Sequence, residues 1–521
     1  MAQLLEPLAQ RLGAAPALVD ERGSTSWTEF NERVNRLMSA LSLAGLENGE
    51  TIAILSENRR EYYECMAAAT HLGLRYVPVN WHWVAEEVSY VLENSDATAL
   101  VAGGGFTGLA AETMARPDCP SLKLALAMRD DPPRGMKSYE AVLAEQPGDE
   151  VAAAGLGGPM FYTSGTTGRP KGVVSGSFSG DGKPIELMML VGQAIVGSLG
   201  MPESGRTLLI GPVYHSAQWA FSFLPLLAGN AVIMRHGFDA EESLGLIDEF
   251  SITNVHLVPT QFVRMLRVDK EKRAQFDGSS LQAVWHGAAP CSPEIKRAMI
   301  DWWGEKISEY YGSTESAIIS TISSAEWLER PGSLGKPLAN LEVRVVKEDG
   351  SVAVAGESGQ LYFRSQMGTD FEYHKDPEKT KEAHLEPGVF SVGDIGYLDE
   401  DGYLFMSDRK IDMIISGGVN IYPAEIEGVL VSHPAVADAA VFGIPNEEFG
   451  EEVKAAVELL AEYAPSDALA DELRDHCRSH LAGYKTPRSV DFEEKLPRHP
   501  TGKLYKRLLR DRYWEGRDRK I

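Results

Sequence analysis

The sequence is poor in cysteine and has no paired metal-binding motif. Its 521 residues include four cysteines, none in a Cys-x-x-Cys pair and none beside a histidine cluster. Isolated thiols argue against a disulfide framework and against a structural zinc site, and they fit a reducing compartment such as the cytoplasm. The four are Cys65, Cys119, Cys291 and Cys477.

Positive charge is scarce as well. Lysine and arginine number 50 against 75 aspartates and glutamates, the net charge is −25, and no long basic stripe offsets it. This balance disfavours a nucleic-acid-binding protein. Any anionic ligand must therefore be held by local cations and backbone N–H groups against an unfavourable overall field.

Long hydrophobic runs are also missing. The longest apolar stretches, residues 188–201 and 220–234, are interrupted by Gln193, Pro225 and Asn230. Both are shorter than the roughly 18 apolar residues that a membrane-spanning helix requires. The first residues lack a cationic region and include Glu6, so they predict an amphipathic helix and not a signal peptide. What is present, 44% hydrophobic and 24% charged residues, is typical of a soluble globular chain of more than one domain.

Helix and strand patterns alternate in the first part of the chain. "STSWTEFNERVNRLMSAL" starts with a capping box, Ser26 to Glu29, and its apolar residues recur at helical spacing. "TIAILS" and "LRYVPVN" are strand-like runs on either side of another helical pattern. Strand–helix–strand order predicts an α/β fold with parallel sheets covered by helices.

The pattern changes twice further along. Residues 332–408 contain short alternating strands broken by Asp-Gly turns, among them "LEVRVVKEDGSVAV", "GQLYFRS" and "GYLFMSD", which predicts a small antiparallel, barrel-like subdomain. Mixed helix and strand patterns then return. We therefore predict a large domain over residues 1–408 and a small α+β domain over residues 409–521.

The stretch "TSGTTGRPKG", residues 163–172, combines glycines, hydroxyls and cations. Glycine allows successive N–H groups to converge on one anion, and hydroxyls and a mobile lysine add donors, so the loop suits a phosphate group. It is not a Walker A loop, because its glycines are too close together and Pro170 precedes the lysine. Taken alone it could equally be a flexible polar turn. Its candidate phosphate contacts are Thr163, Ser164, Gly165, Thr166, Thr167, Gly168 and Lys171, with Arg169 as a second cation.

The whole string resembles the signature loop of the adenylate-forming superfamily, which contains acyl-CoA synthetases, peptide-synthetase adenylation domains and luciferases. Four further segments are similar to that family's motifs and occur in the family's order. They are "YYGSTE", "SVGDIGYLDEDGYL", "SDRKIDMIISGGVNIYPAEIE" and "PRHPTGKLYKRLLR". The resemblance covers about residues 20–510 and is closest to the acyl-CoA synthetase branch. It implies ATP and Mg²⁺ as cofactors, an acyl-adenylate intermediate with release of pyrophosphate, and a C-terminal domain that rotates between the two half-reactions.

The resemblance also implies a role for each matching residue. Lys503, Thr314, Glu315 and His215 are the catalytic candidates, and Glu315 would also hold Mg²⁺. The nucleotide would contact Gly287, Ala288, Tyr311, Gly312, Asp394 and Arg409. The acyl pocket would include Tyr214, His215, Trp219, Ala288 and Ser313. Gly417 and Gly418 would face the thiol, and Ile411 stands at the hinge, where the family usually has Asp or Lys.

One difference from the amino-acid adenylation domains indicates which kind of acid is activated. Amino-acid adenylation domains place an Asp after the aromatic residue of their pocket motif, whereas here His215 follows Tyr214. A cationic amine would lack its carboxylate partner, so a simple amino acid is disfavoured. The remaining pocket segments carry few charges, which favours a largely apolar acid. Fatty, aromatic and polycyclic acids all stay open.

Free coenzyme A is the expected acceptor, and a separate acyl carrier protein is the alternative. Two other classes are compatible with parts of the sequence. An amidase-like serine hydrolase also uses Ser and Lys in glycine-rich loops, and a nucleotide-sensing binder would need the loop without turnover. Glu315 and Lys503 together weigh against the binder, and ATP-dependent release of pyrophosphate would separate a ligase from a hydrolase.

Overall fold

A computed structural model describes residues 4–152, 155–163, 169–176, 183–409, 412–416, 419–446, 448–498 and 504–515. The first part alternates strands and helices as the sequence predicts. Its elements are α1 (Glu6–Leu12), β1 (Pro16–Asp20), β2 (Gly23–Ser26), α2 (Trp27–Leu43), β3 (Thr51–Leu55), α3 (Arg60–His71), β4 (Arg75–Pro78), α4 (Ala85–Asn94), β5 (Ala97–Gly103), α5 (Thr107–Met114), β6 (Leu124–Met128), β7 (Lys137–Ser138), α6 (Tyr139–Ala144) and β8 (Gly158–Pro159).

The alternation continues to about residue 337. The elements here are β9 (Phe161–Thr163), β10 (Lys171–Ser175), α7 (Glu186–Ser198), β11 (Arg206–Leu209), α8 (Ser216–Leu227), β12 (Ala231–Met234), α9 (Ala240–Glu249), β13 (Asn254–Leu257), α10 (Pro259–Leu266), α11 (Lys270–Gln275), β14 (Ala283–His286), α12 (Pro293–Trp303), β15 (Ile307–Ser313), β16 (Ala317–Ile322), α13 (Ser324–Glu329) and β17 (Lys336–Pro337).

Short strands then dominate, followed by a mixed C-terminal part. The first group is β18 (Leu341–Val346), β19 (Gly359–Ser365), β20 (Phe371–Tyr373), α14 (Pro377–Ala383), β21 (His384–Glu386), β22 (Val389–Phe390), β23 (Asp394–Leu398) and β24 (Leu404–Arg409). The second is β25 (Ile414–Ser416), β26 (Val419–Ile421), α15 (Pro423–Ser432), β27 (Val436–Asn446), β28 (Gly450–Leu459), α16 (Asp467–His480), β29 (Ser489–Glu493) and α17 (Lys506–Trp514).

Two large sheets confirm the predicted α/β class. One has six strands in the order β7-β6-β5-β3-β4-β8, and all its pairings are parallel. The other has nine strands in the order β17-β16-β15-β14-β13-β11-β12-β1-β2, parallel in its centre and antiparallel at both edges. Every residue of β3 is buried, as expected for a parallel strand covered on both faces.

Helices of the first part lie against these sheets and form the main core. Ser26 accepts a hydrogen bond from the Glu29 N–H at the start of α2, as the capping signal predicts, and Phe30 and Leu37 of that helix are fully buried. The Tyr63 hydroxyl of α3 donates to Ser222 of α8 at 2.7 Å. Two neighbouring helices are therefore tied together inside the core, and α8 is held at the base of the candidate site.

The region after residue 337 is antiparallel, as predicted. Strands β21, β22, β19, β23 and β24 form one sheet, with β18 paired to β19. One predicted strand was longer than the strand in the structure. The turn at Asp349–Gly350 is present, but after it only an isolated bridge between Val346 and Val352 forms, and Val354 is 69% exposed. Strand β20 leaves this group and pairs with β10, in a separate three-stranded sheet with β9.

The C-terminal part has its own sheet and touches the rest of the chain. Strands β26, β25, β28 and β27, with β29 beside β28, form a sheet separate from all the others. The guanidinium of Arg267, just after α10, donates to the carbonyl oxygens of Val436 (2.8 Å) and Ala437 (3.2 Å) on β27. None of the described helices is both long and apolar enough to cross a membrane.

Candidate active site

The centre of the site is the tight connection between β15 and β16, which carries Thr314 and Glu315. The Ser313 N–H donates to the Ser316 hydroxyl at 3.1 Å, and the Ser316 N–H donates back to the Ser313 hydroxyl at 3.1 Å. Gly312 is required here, because a Cβ would overlap with the carbonyl oxygen of Ala317. The connection is thus held by its own hydrogen bonds, which fixes the direction of the two side chains between them.

The neighbours of these two side chains come from distant elements. The hydroxyl of Thr314 lies 2.9 Å from the hydroxyl of Ser216, the first residue of α8. The carboxylate of Glu315 accepts a hydrogen bond from the Tyr373 hydroxyl at 3.1 Å. Burial, followed by the charge of Glu315, raises the pKa of Tyr373, so this phenol is a donor at neutral pH.

Lys171 from the glycine-rich loop reaches the same place. Its ammonium lies 5.1 Å from the ring centroid of Tyr373, within the range of a cation–π contact. Partial burial, and then the neighbouring Lys379, lower the pKa of Lys171. Thr163 pairs with Lys171 across β9 and β10, so both described ends of the loop start from one short sheet.

The residues predicted to bind the nucleoside form a buried pair. The Tyr311 hydroxyl donates to a carboxylate oxygen of Asp394 at 2.5 Å, and the two residues are 7% and 3% exposed. The Tyr311 ring packs 6.1 Å from the ring of Phe363 in a hydrophobic cluster, and its predicted contact with adenine stays a prediction. The backbone of Arg409 pairs with Asp394 between β23 and β24, while the Arg409 side chain lies outside the described atoms.

Gly287 and Ala288 follow β14 directly. A Cβ on Gly287 would lie 2.6 Å from the ring of Tyr310, so only glycine allows this close approach. Ala288 is exposed and has a φ of 66°, in the left-handed region. The turn after β14 therefore lies directly against the Tyr310 ring.

Three of the predicted acyl-pocket residues lie just before α8 or in its first turn. The rings of Tyr214 and His215 are 4.2 Å apart, and Tyr214 also meets Trp81 edge to face at 4.7 Å. Trp219 is fully buried, and its indole N–H donates to the Tyr76 hydroxyl at 2.8 Å. It therefore supports the pocket from within the core.

Several predicted site residues lie outside the described residues. They are Ser164, Gly165, Thr166, Thr167, Gly168, Ile411, Gly417, Gly418 and Lys503. Tyr505, two residues after Lys503, contributes after burial to raising the pKa of Tyr214. Tyr505 therefore lies near Tyr214, one of the acyl-pocket candidates.

The donors at this site fit Mg²⁺ and a nucleotide phosphate. Glu315 and Thr314 offer hard oxygen atoms, and Mg²⁺ commonly takes one or two carboxylates together with phosphate oxygens. Among the described residues no cluster of three or more His, Cys, Asp or Glu could hold a metal on its own. A metal held jointly by Glu315 and a bound phosphate agrees with both facts, and Lys171 supplies a compensating cation.

Two contacts at the site were not predicted from the sequence. Ser216 directly follows His215 in the quoted "YHSAQWAF", so its position was visible, but nothing local indicates its approach to Thr314. Tyr373 carries no signal of its own, because its place beside Lys171 follows from the pairing of β20 with β10.

The chain matches known proteins over nearly its full length. The model of the family described as "AMP-binding enzyme" matches residues 5–369, and that of "AMP-binding enzyme C-terminal domain" matches residues 425–503. The chain is 32% identical to the long-chain-fatty-acid–CoA ligase FadD13 of Mycobacterium tuberculosis, over 94% of this chain and 93% of that protein. It is 31% identical to the fatty acid–[acyl-carrier-protein] ligase ScoC of Streptomyces coeruleorubidus, over 98% of this chain and 96% of that protein.

Solved structures agree with the sequence comparison. The anthranilate CoA ligase AuaEII, determined with anthranoyl-AMP, superposes with a TM-score of 0.86 and 27% sequence identity, over 98% of this chain and 96% of that chain. Its bound acyl-adenylate is the intermediate that the motifs imply. The chain belongs to the AMP-binding enzyme family and is an AMP-forming acid–thiol ligase, which uses ATP and Mg²⁺ to make an acyl-adenylate and coenzyme A to take up the acyl group.

Proposed function

We propose that this ligase activates a compact, largely apolar acid, such as an aryl or small polycyclic acid, and transfers it to free coenzyme A in the cytoplasm. The observation that carries the proposal is the ring of Tyr310, which lies directly behind Gly287. In that position the ring closes the space next to the predicted acyl pocket, which a long aliphatic chain would need.

Other aromatic rings strengthen this wall. The ring of Phe221, from α8, lies 5.1 Å from that of Tyr310 and 6.1 Å from that of Trp285. All three residues are less than 10% exposed and belong to one hydrophobic cluster. A close-packed wall of this kind does not yield to a longer substrate without displacing side chains.

The wall also contains a series of uncharged polar side chains joined by hydrogen bonds. His256 lies 2.9 Å from the Gln218 amide and 3.0 Å from the Tyr310 hydroxyl. Burial lowers the pKa of His256 to about 3, so the imidazole is uncharged at neutral pH. His256 therefore offers no positive charge to a second carboxylate, which supports an acid with a single carboxylate.

The residue roles are part of this proposal. Glu315 with Thr314 would face Mg²⁺ and the α-phosphate, the loop from Thr163 to Lys171 would take the pyrophosphate, and Asp394 would bind the ribose. Lys503 would neutralise charge where the carboxylate meets the α-phosphate. Support comes from the Tyr373–Glu315 contact and from the nearness of Tyr505 to Tyr214.

The names of the relatives include two kinds of acceptor. The names of FadD13 and AuaEII give coenzyme A, and that of ScoC gives an acyl carrier protein. We favour free coenzyme A because two of these three names give it. A carrier protein is the alternative.

The test is a screen of ATP–pyrophosphate exchange with aryl, polycyclic, short-chain and long-chain fatty acids, followed by mass detection of the thioester. We expect the highest kcat/KM with aryl or polycyclic acids and a product on coenzyme A. A preference for long-chain acids would contradict the compact pocket. Formation of thioester only on added acyl carrier protein would select the alternative acceptor.

A variant pair makes the pocket assignment specific. Tyr310→Ala should move the preference toward longer acids, because it removes the ring behind Gly287. Tyr310→Phe keeps the ring and should leave the length preference unchanged. If both variants keep the original profile, Tyr310 does not limit the pocket.

A further inference from the structure

Tyr373 touches two groups that have separate roles in the proposed adenylation site. Its hydroxyl donates to Glu315 Oε1 at 3.1 Å, and the ammonium of Lys171 lies 5.1 Å from its ring centroid. Glu315 comes from the β15–β16 connection, and Lys171 begins β10. One side chain thus bridges the metal side and the pyrophosphate side of the site.

Strand pairing, a hydrogen bond and a ring contact hold Tyr373 in this position. Val173 of β10 pairs with Tyr373 of β20, so the strand that carries Lys171 is paired with the strand that carries its aromatic partner. The Tyr373 N–H donates to the Thr380 hydroxyl at 2.9 Å, and the Phe371 ring meets that of Tyr373 edge to face at 5.1 Å. The residue has little freedom to follow a moving Glu315, and it therefore constrains the carboxylate.

We propose that Tyr373 is a positioning residue for the adenylation half-reaction, which orients the Glu315 carboxylate toward Mg²⁺ and holds Lys171 beside the pyrophosphate. The inference rests on the roles proposed above for Glu315 and Lys171.

The physical reason is the geometry of a carboxylate with two oxygens. A hydrogen bond to Oε1 fixes the rotation of the group and leaves Oε2 available for a cation. Groups that orient a metal ligand in this way typically change metal affinity about 10- to 100-fold when they are removed. The ring face adds a second effect, because it attracts the lysine ammonium without neutralising it.

The central test compares Tyr373→Phe with Tyr162→Phe. Tyr162 lies in the same three-stranded sheet, is also partly buried, and its hydroxyl donates at 2.7 Å to Asn94, the last residue of α4. Each variant loses one phenol hydrogen bond to a side-chain oxygen. Mn²⁺ binding is measured by electron paramagnetic resonance in the presence of α,β-methylene ATP. This measurement does not depend on catalytic turnover.

We expect Tyr373→Phe to weaken Mn²⁺ binding about tenfold or more and to raise the Mg²⁺ concentration needed for ATP–pyrophosphate exchange by a similar factor. Tyr162→Phe should change neither. Tyr373→Leu, which also removes the ring, should in addition raise the KM for pyrophosphate in the exchange reaction. Equal metal affinity in Tyr373→Phe and wild type would overturn the inference.

Glu315→Gln separates this inference from the function on which it rests. If that variant binds Mn²⁺ as tightly as wild type, Glu315 is not a metal ligand, the proposed site fails, and the inference fails with it. If Glu315→Gln loses affinity and Tyr373→Phe does not, only the role of Tyr373 is wrong. A loss in both, with no added loss in the double variant, is the result expected when Tyr373 acts through Glu315.

Discussion

A buried ion pair on α12 and β15, near the connection between β15 and β16, gives a sharp prediction about stability. Lys296 on α12 lies 2.6 Å, Nζ to Oε2, from Glu309 on β15, and the two side chains are 0% and 7% exposed. Burial raises the pKa of Glu309 and lowers that of Lys296, so each charge depends on the other. Strand β15 continues from Glu309 through Tyr311 to Ser313, directly before Thr314, which links the pair to the site.

Removing only the lysine should be costly. Lys296→Met leaves the Glu309 carboxylate in the core without its cation. His286 does not replace it, because its Nε2 is 3.6 Å away and burial lowers its pKa well below the ordinary value. Breaking such a pair typically costs about 3–5 kcal/mol. We expect a loss of that size in the free energy of unfolding, together with weaker ATP binding.

Removing both charges should restore much of the loss. A buried pair replaced by apolar side chains of similar volume is often neutral or stabilising by about 1–4 kcal/mol. We therefore expect Lys296→Met/Glu309→Leu to be more stable than Lys296→Met alone, with a coupling energy of at least about 2 kcal/mol. Urea unfolding at neutral pH, followed by tryptophan fluorescence in all four members of the cycle, measures it. Additive losses within about 0.5 kcal/mol would refute the reasoning.

Three further predictions concern pH, catalysis and domains. His71 is buried, it accepts the Leu4 N–H at 2.9 Å, and burial lowers its pKa to about 4. As the pH falls, the unfolded chain therefore binds a proton at His71 before the folded chain does. The contribution of His71 to stability is complete above about pH 6.5 and falls by about 3 kcal/mol toward pH 4. His71→Gln should flatten this slope in urea titrations, and an unchanged slope would assign it to other groups. Lys503→Ala should slow acid-dependent pyrophosphate release about 100- to 1,000-fold while sparing thioester formation from supplied acyl-adenylate; equal loss in both assays would contradict a role limited to adenylation. A fragment that ends at Asp408 should fold and bind nucleotide weakly without turnover, as circular dichroism and isothermal calorimetry would show, and efficient thioester formation by it would overturn the proposed domain division.

Local patterns were sufficient for much of the fold. The capping residues and apolar spacing of residues 24–41 predicted α2, and the run "TIAILS" at residues 51–56 predicted a short buried strand. These predictions succeed because helical and strand periodicity reflects which face of an element is buried. The turn at Asp349–Gly350 was equally visible, whereas the length of the strand after it was not, because pairing partners decide where a ladder stops.

The motifs determined the chemistry in the same way. The glycine-rich loop and "YYGSTE" carry their residue types in fixed order, so the sequence by itself identified an adenylate-forming ligase and its candidate residues. Tertiary structure decided which of those residues have which neighbours. Tyr373 reaches Glu315 and Lys171 only because β20 pairs with β10, and Lys296 and Glu309 lie in the core only because α12 packs over β15. Contacts between distant segments depend on strand register and on burial in the folded chain, and the periodicity of a local segment contains neither.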